Sequence, residues 1–212
     1  MAQGYEEDDL ERLKGWWQDY GNYLLAGLLF GLVLVLGWRF YQNSQATKAV
    51  KAAEYYEQFS VALERDDAQS ILALEQTLRE RFAGAPYAVL AELALARRAI
   101  DKDDFKGAQQ ALERAIDMAG KDPLGSLARL RLARVHLAQS APESALEVLA
   151  SIKDQTVWRP LVEELRGDAL RAQGRADEAR AAYQKARDAA NAAQLDDRII
   201  DLKLKDMGGE AP

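Results

Sequence analysis

The stretch Gly167 to Tyr183, GDALRAQGRADEARAAY, decides the fold of this chain. It sets a small residue, Gly167, twelve positions before Ala179, with the breaker Gln173-Gly174-Arg175 between them and the bulky Tyr183 one helical turn beyond. The same frame recurs upstream. Ala108-x3-Leu112, Ala145-x3-Leu149 and Ala179-x3-Tyr183 follow one another at separations of 37 and 34 residues, and small residues, Ala96 and Ala133, again stand twelve before their alanines. Seven after each alanine come Ala115, Ile152 and Ala186. A period of this length marks stacked helix pairs: the small residues let two antiparallel helices approach, and the bulky residue fills the gap between neighbouring pairs.

Working outward, further breakers fall at Asp66-Asp67, Ala83 to Pro86, Asp101 to Asp104, Gly120 to Pro123 and Ser140-Ala141-Pro142. They predict seven or eight helices of mostly about 12 to 20 residues. Each helix carries apolar residues at three- and four-residue spacing, as in Leu90, Leu93, Leu95 and Ile100 or Leu127, Leu130 and Leu137. Ala and Leu dominate, β-branched residues are few, and the five prolines sit mainly at helix boundaries, so almost no sheet is expected. The frame resembles the tetratricopeptide repeat, most closely over Gly167-Asp168-Ala169-Leu170, Gly174 to Ala179 and Tyr183. The first two copies lack the aromatic of the first helix and differ in loop length. The predicted fold is all-α: one N-terminal transmembrane helix followed by a tetratricopeptide-like helical-hairpin solenoid.

The transmembrane helix is read from the residues from Tyr20 to Trp38, which contain no charge. As a helix they span roughly 28 Å, close to the hydrocarbon thickness of a bilayer. Trp16, Trp17, Tyr20 and Tyr23 flank one end and Trp38, Phe40 and Tyr41 the other, as interfacial aromatic belts do. A buried core helix and a signal peptide cleaved near Ser44-Gln45-Ala46 are disfavoured by the length of the run, the acidic residues before it and Arg39 after it. Arg12 and Lys14 before the span against Arg39, Lys48 and Lys51 after it do not set an orientation. The run Glu6-Glu7-Asp8-Asp9 reads as a solvated terminus, and Leu10, Leu13, Trp17 and Tyr20 at helical spacing suit the membrane surface or a plain extension of the span. Gly27 and Gly31 form a small-xxx-small pair that could receive another helix.

At 212 residues, 49% hydrophobic and 29% charged, the chain has material for one packed domain and something besides. The expected boundaries are 1–19 for an acidic N-terminal segment, 20–41 for the transmembrane helix, 42–207 for the repeat domain and 208–212 for a C-terminal tail. The absence of cysteine excludes disulfides, thiolate metal sites and thiol nucleophiles, and one histidine leaves no zinc ligand set or triad. His136 reads as a packed or partly exposed helix residue. The pairs Glu163-Glu164 and Asp196-Asp197 read as charged helical surface. A net charge of -6 with interleaved signs argues against nucleic acid. We therefore expect no catalytic, cofactor or metal residues, no cofactor, no small-molecule substrate, and no enzymatic activity.

In tetratricopeptide register the concave face of the stack carries Leu93, Arg97, Ile100, Leu130, Arg134, Leu137, Asp168 and Arg171, a mixed apolar and basic groove. The alternative is that some of these side chains pack against a stem helix from Thr47 to Arg65.

Taken in order, the acidic start with Leu13-Lys14-Gly15-Trp16-Trp17, the span ending in Gly37-Trp38-Arg39-Phe40-Tyr41, the helix Leu130 to Val135, and Trp158 followed by Leu165 to Leu170 resemble the ancillary subunits of the SecYEG translocon. The resemblance covers nearly the whole chain. It implies a single-pass bacterial inner-membrane protein with a cytoplasmic N-terminus and a periplasmic repeat domain. Its partners would be the SecYEG translocon, a membrane-anchored periplasmic prolyl-isomerase-like chaperone, exported client proteins and the lipid bilayer. A membrane-anchored repeat scaffold for another cell-envelope assembly is the alternative.

Overall fold

The computed structural model describes the backbone of residues 3–120, 122–153 and 156–208; within the first helix it describes the side chains of 14, 16, 17, 20, 22, 23, 26–40 and 42, and those from 47 onward. The side chains of the acidic run at 6–9, of Leu10, Arg12, Leu13 and Tyr41 and of the segment 44–46, and the whole of the tail 209–212, lie outside the described residues. Two compact units are present, residues 1–50 and residues 51–212.

Among the described residues there are nine helices and no strand: α1 (Gln3–Glu64), α2 (Ala68–Arg81), α3 (Pro86–Asp101), α4 (Phe105–Ala119), α5 (Pro123–Ala138), α6 (Pro142–Ala150), α7 (Arg159–Ala172), α8 (Ala176–Ala192) and α9 (Arg198–Gly208). All the breakers named from the sequence end helices here. Two further breaks, one after Ala150 and before Arg159 and one at 193–197, raise the number of helices and shorten α6 and α9. Proline begins or nearly begins α3, α5, α6 and α7, where its missing N–H is no loss. Asp67, Asp104 and Asp122 cap α2, α4 and α5 by accepting the N–H of Ser70, Gly107 and Leu124.

The second unit is built of hairpins, and their frame matches the repeat read from the sequence. Ala96, Ala108, Leu112 and Ala115 in the α3–α4 pair, Ala133, Ala145, Leu149 and Ile152 around α5–α6, and Ala179, Tyr183 and Ala186 on α8 are all at most 2% exposed. Gly167 on α7 is likewise buried. Burying a leucine of this set contributes about 2 kcal/mol, and the alanines let the helix axes approach closely enough for that to happen.

The turns reveal a fourth copy. Asp103, Ser140 and Gly174 close the three hairpins with positive φ of 58°, 57° and 74°, and Asp66, 37 residues before Asp103, does the same between α1 and α2 with φ 51°. In that first hairpin large side chains fill the small positions and a carboxylate fills the bulky apolar one. Phe59 takes the place of Ala96, Ala133 and Gly167, and Ile71, Glu75 and Leu78 take those of Ala108, Leu112 and Ala115. Phe59, Ile71, Glu75 and Leu78 are all buried, so the frame holds although its residue types differ. Arg98 and Lys102 of α3 donate to the Asp66 carboxylate and hold it below the usual carboxylate range, which ties this turn to the next hairpin.

Candidate functional site

The repeat face was expected to carry eight residues, and the structure divides them. Leu93 and Leu130 are 3% and 2% exposed and belong to the core, so they offer no surface. The reason is that α3 packs against α5 and α5 against α7. Leu93 therefore shares a cluster with Leu132 and Val135, and Leu130 shares one with Val162 and Leu165. Neither packs in a cluster with α1, so the stem helix is not what covers them. Ile100 and Leu137 are half-buried at the edges of the same clusters. Arg97 and Arg134 remain exposed one turn away, at equivalent positions of α3 and α5. Arg97 pairs with Asp101 at 2.9 Å, an exposed pair worth little in water, while Arg134 forms no ion pair among the described residues. Arg131 reaches from α5 to the carbonyl of Leu93 at 3.5 Å and helps fix the two helices.

At the third copy the expected face is built differently. Asp168 accepts a hydrogen bond from the Tyr183 hydroxyl at 2.8 Å and from Lys203 of α9 at 2.8 Å on each oxygen, and Lys203 also donates to Glu164 at 2.7 Å. Lys203 lies 5.7 Å from the centre of the Tyr183 ring, within cation–π range. Burial first and the Asp168 carboxylate second push the Tyr183 hydroxyl pKa up, so it stays a donor. Arg171 is exposed beside this hydroxyl. Asp168 is thus a clasp for the terminal helix, a role the sequence frame gave no signal for because Lys203 lies outside the repeat.

The carboxylate pairs also divide. Asp196 is exposed and pairs with Arg198, as expected of surface. Glu163 is 6% exposed, against the expectation of a surface residue, and Arg166 meets it at 3.2 Å. It stands where the repeat frame turns its first helix inward, as Glu92 does two helix pairs earlier. His136 on α5 is half-buried.

The least expected feature is a buried ionic cluster. Glu92 on α3 is 1% exposed, and Arg114 of α4 grips it with Nε at 3.1 Å from both oxygens and Nη2 at 2.8 Å from one. Glu75 on α2 is 5% exposed beside it. The Arg79 guanidinium comes within 3.2 Å of Glu75 Oε1, but outside hydrogen-bond geometry, and that oxygen has no hydrogen-bond partner. Desolvation, then the neighbouring Glu92, pushes the Glu75 pKa up to about 7. The only signal for this cluster in the sequence is a charged residue at the bulky position of a repeat frame, visible once Asp66 is placed in register.

In the first unit, large apolar side chains stand in the open: Leu28, Leu29, Phe30 and Leu32 to Leu36 are each at least half exposed. Among the described residues no helix is long and apolar enough to cross a membrane. The uncharged stretch with described side chains, Ala26 to Trp38, is 13 residues long. Gly27 and Gly31 have open space around them, with nothing within 4 Å of where a Cβ would be. Gly27 lies at the end of an open groove of about 640 Å³ lined by Trp16, Tyr20, Tyr23 and Leu28.

Residues 14–209 match the model of a tetratricopeptide repeat-like domain. The chain is 31% identical to the ancillary SecYEG translocon subunit of Aggregatibacter actinomycetemcomitans, over 95% of this chain and 97% of that protein. It is 27% identical to the protein of the same name from Haemophilus influenzae, over the same shares, and 30% identical to that of Escherichia coli, over 84% of this chain and 85% of the relative. No solved structure matches it.

Proposed function

Because the chain belongs to the family of ancillary SecYEG translocon subunits, with their tetratricopeptide repeat-like domain, we propose that it is a membrane-anchored interaction module working beside the translocon. The observation that carries this reading is the pairing, over nearly the full length of both proteins, with relatives that bear that name. Residues 20–41 cross the inner membrane, 1–19 stay in the cytoplasm, and 42–207 form the periplasmic repeat domain ahead of the tail 208–212. The exposed apolar side chains of α1 support the crossing, since bare leucine, valine and phenylalanine over this length are stable in lipid and not in water. Gly27 and Gly31 offer a neighbouring transmembrane helix a close approach.

On the other side of the span, Arg97, Ile100, Arg134 and Leu137 hold a membrane-anchored chaperone of the prolyl-isomerase-like type or newly exported clients. Their mechanism is co-localisation: tethering in one membrane raises effective concentration, so weak contacts suffice and no chemistry by this chain is needed.

The test is copurification of the full chain with the translocon after mild solubilisation, together with a topology reporter fused after Pro212. Recovery of the translocon and a periplasmic reporter signal support the reading. Repeated absence of the translocon from the purified material, or a cytoplasmic reporter, sinks it.

A further inference from the structure

In the first hairpin the repeat frame puts Glu75 where the other hairpins put Leu112, Leu149 and Tyr183. A carboxyl in a position that elsewhere takes a large apolar group, at 5% exposure, is costly to ionise, so its presence needs a physical account. The groups acting on it come from three helices: Arg79 on its own α2, Glu92 from α3, and Arg114 from α4, itself acted on by Glu113. The helix α1, packed against α2 through Phe59 and Ala62, adds no charged group to these. Arg114 has spent its Nε and Nη2 on Glu92, and Arg79, whose Nε lies 3.2 Å from Glu75 Oε1 outside hydrogen-bond geometry, is 42% exposed and screened by solvent. Two buried carboxylates thus face one guanidinium committed to Glu92 and one that is half in solvent.

We propose that Glu75 and Glu92 form a proton-gated clasp: with a proton on Glu75, its hydroxyl donates to Glu92 and α2 is closed on α3 and α4, and loss of that proton releases α2. The displaced element is α2, whose Ile71 and Leu78 leave the cluster they share with Phe59 and Ala88. No covalent change is involved, only one proton exchanged with water. The inference stands apart from the translocon reading, because it concerns the stability of one hairpin.

The direction follows from linkage. The folded pKa of Glu75, about 7, lies above its ordinary 4.5, so the closed state binds the proton more tightly than the open one. The stabilisation is complete below about 4.5 and is lost as pH rises through about 7. Within that window the opening constant of α2 rises about tenfold per pH unit and is flat above it.

The experiment is amide hydrogen exchange on the detergent-solubilised full chain between about pH 5 and pH 8. Protection of α2 is read as a ratio to that of α8, which cancels the intrinsic pH dependence of exchange. The expected ratio falls steeply up to about pH 7 and then levels, while Glu75→Gln and Glu75→Leu each give a flat ratio. A flat ratio in the unmodified chain, or a Glu75→Gln chain that keeps the unmodified profile, overturns the clasp. Should both variants fail to fold, infrared difference spectra of the unmodified chain decide: a carboxylic-acid carbonyl band persisting at about pH 6 and gone by about pH 8 supports it, and full ionisation by about pH 6 overturns it.

Discussion

Gly167 and Tyr183 form one joint: a Cβ on Gly167 would lie 2.4 Å from Cε1 of the Tyr183 ring, closer than unbonded carbons come. The other hairpins solve the same contact with alanine and leucine, Ala96 with Leu112 and Ala133 with Leu149. The third solves it with nothing and a tyrosine, whose hydroxyl then reaches Asp168. Gly167→Ala should therefore cost about 2 kcal/mol by overpacking. Adding Tyr183→Leu, which recreates the pair used elsewhere, should recover part of the loss despite the sacrificed hydrogen bond. Denaturation midpoints of the two single variants and the double variant check this, and simple additivity would contradict the joint.

Arg114 neutralises a carboxylate that is 1% exposed. Arg114→Leu should destabilise the chain by about 3 to 5 kcal/mol because Glu92 is left buried and unpaired. Replacing both, Arg114→Leu with Glu92→Leu, should return most of that stability, since an apolar pair of similar volume carries no desolvation penalty. Thermal unfolding of both variants measures the difference.

Lys203 is the link between α9 and the last hairpin. Lys203→Met keeps the length of the stem but leaves Glu164 and Asp168 facing each other without a cation. A loss of about 1 to 2 kcal/mol is expected, confined to the terminal helix. Limited proteolysis should then cut near 193–197 with the upstream hairpins intact; unchanged resistance there would show that α9 is held by its apolar contacts alone.

Arg97 and Arg134 are the exposed cations at equivalent positions of the first two complete copies. Arg97→Glu with Arg134→Glu should leave helicity and melting within about 0.5 kcal/mol of the unmodified chain, because neither side chain is buried. Binding of a partner on this face should weaken several-fold and lose part of its salt dependence. Crosslinking yields at two salt concentrations test it, with unchanged yields counting against this face.

Much of the fold was legible because alanine is small for a reason that geometry makes periodic. Ala108, Ala145 and Ala179 mark the places where helices touch, and each is fully buried. The first hairpin is hidden from a pattern of residue types because Phe59 fills a small position and Glu75 a bulky apolar one while the register is kept. The breaks between Ala150 and Arg159 and at 193–197 are hidden because neither contains glycine; Pro160, just inside α7, was the available signal for the first.

The face was legible only in part. Counting along α3 and α5 places Arg97 and Arg134 outside correctly, but it treats each helix pair alone. Leu93 and Leu130 are covered by the first helix of the following pair, an arrangement that depends on how successive pairs stack. Asp168 fails for a related reason, since its partner Lys203 belongs to a helix beyond the repeats.

In the second unit each helix packs chiefly on those one or two places along the chain. Such an array behaves as a spring and not as a lever, for a disturbance at one end decays before it reaches the other. Fraying of α9 and opening of α2 are then separate events with separate causes. The two ends of the array can answer to different stimuli while the turns of the coil between them stay as they are.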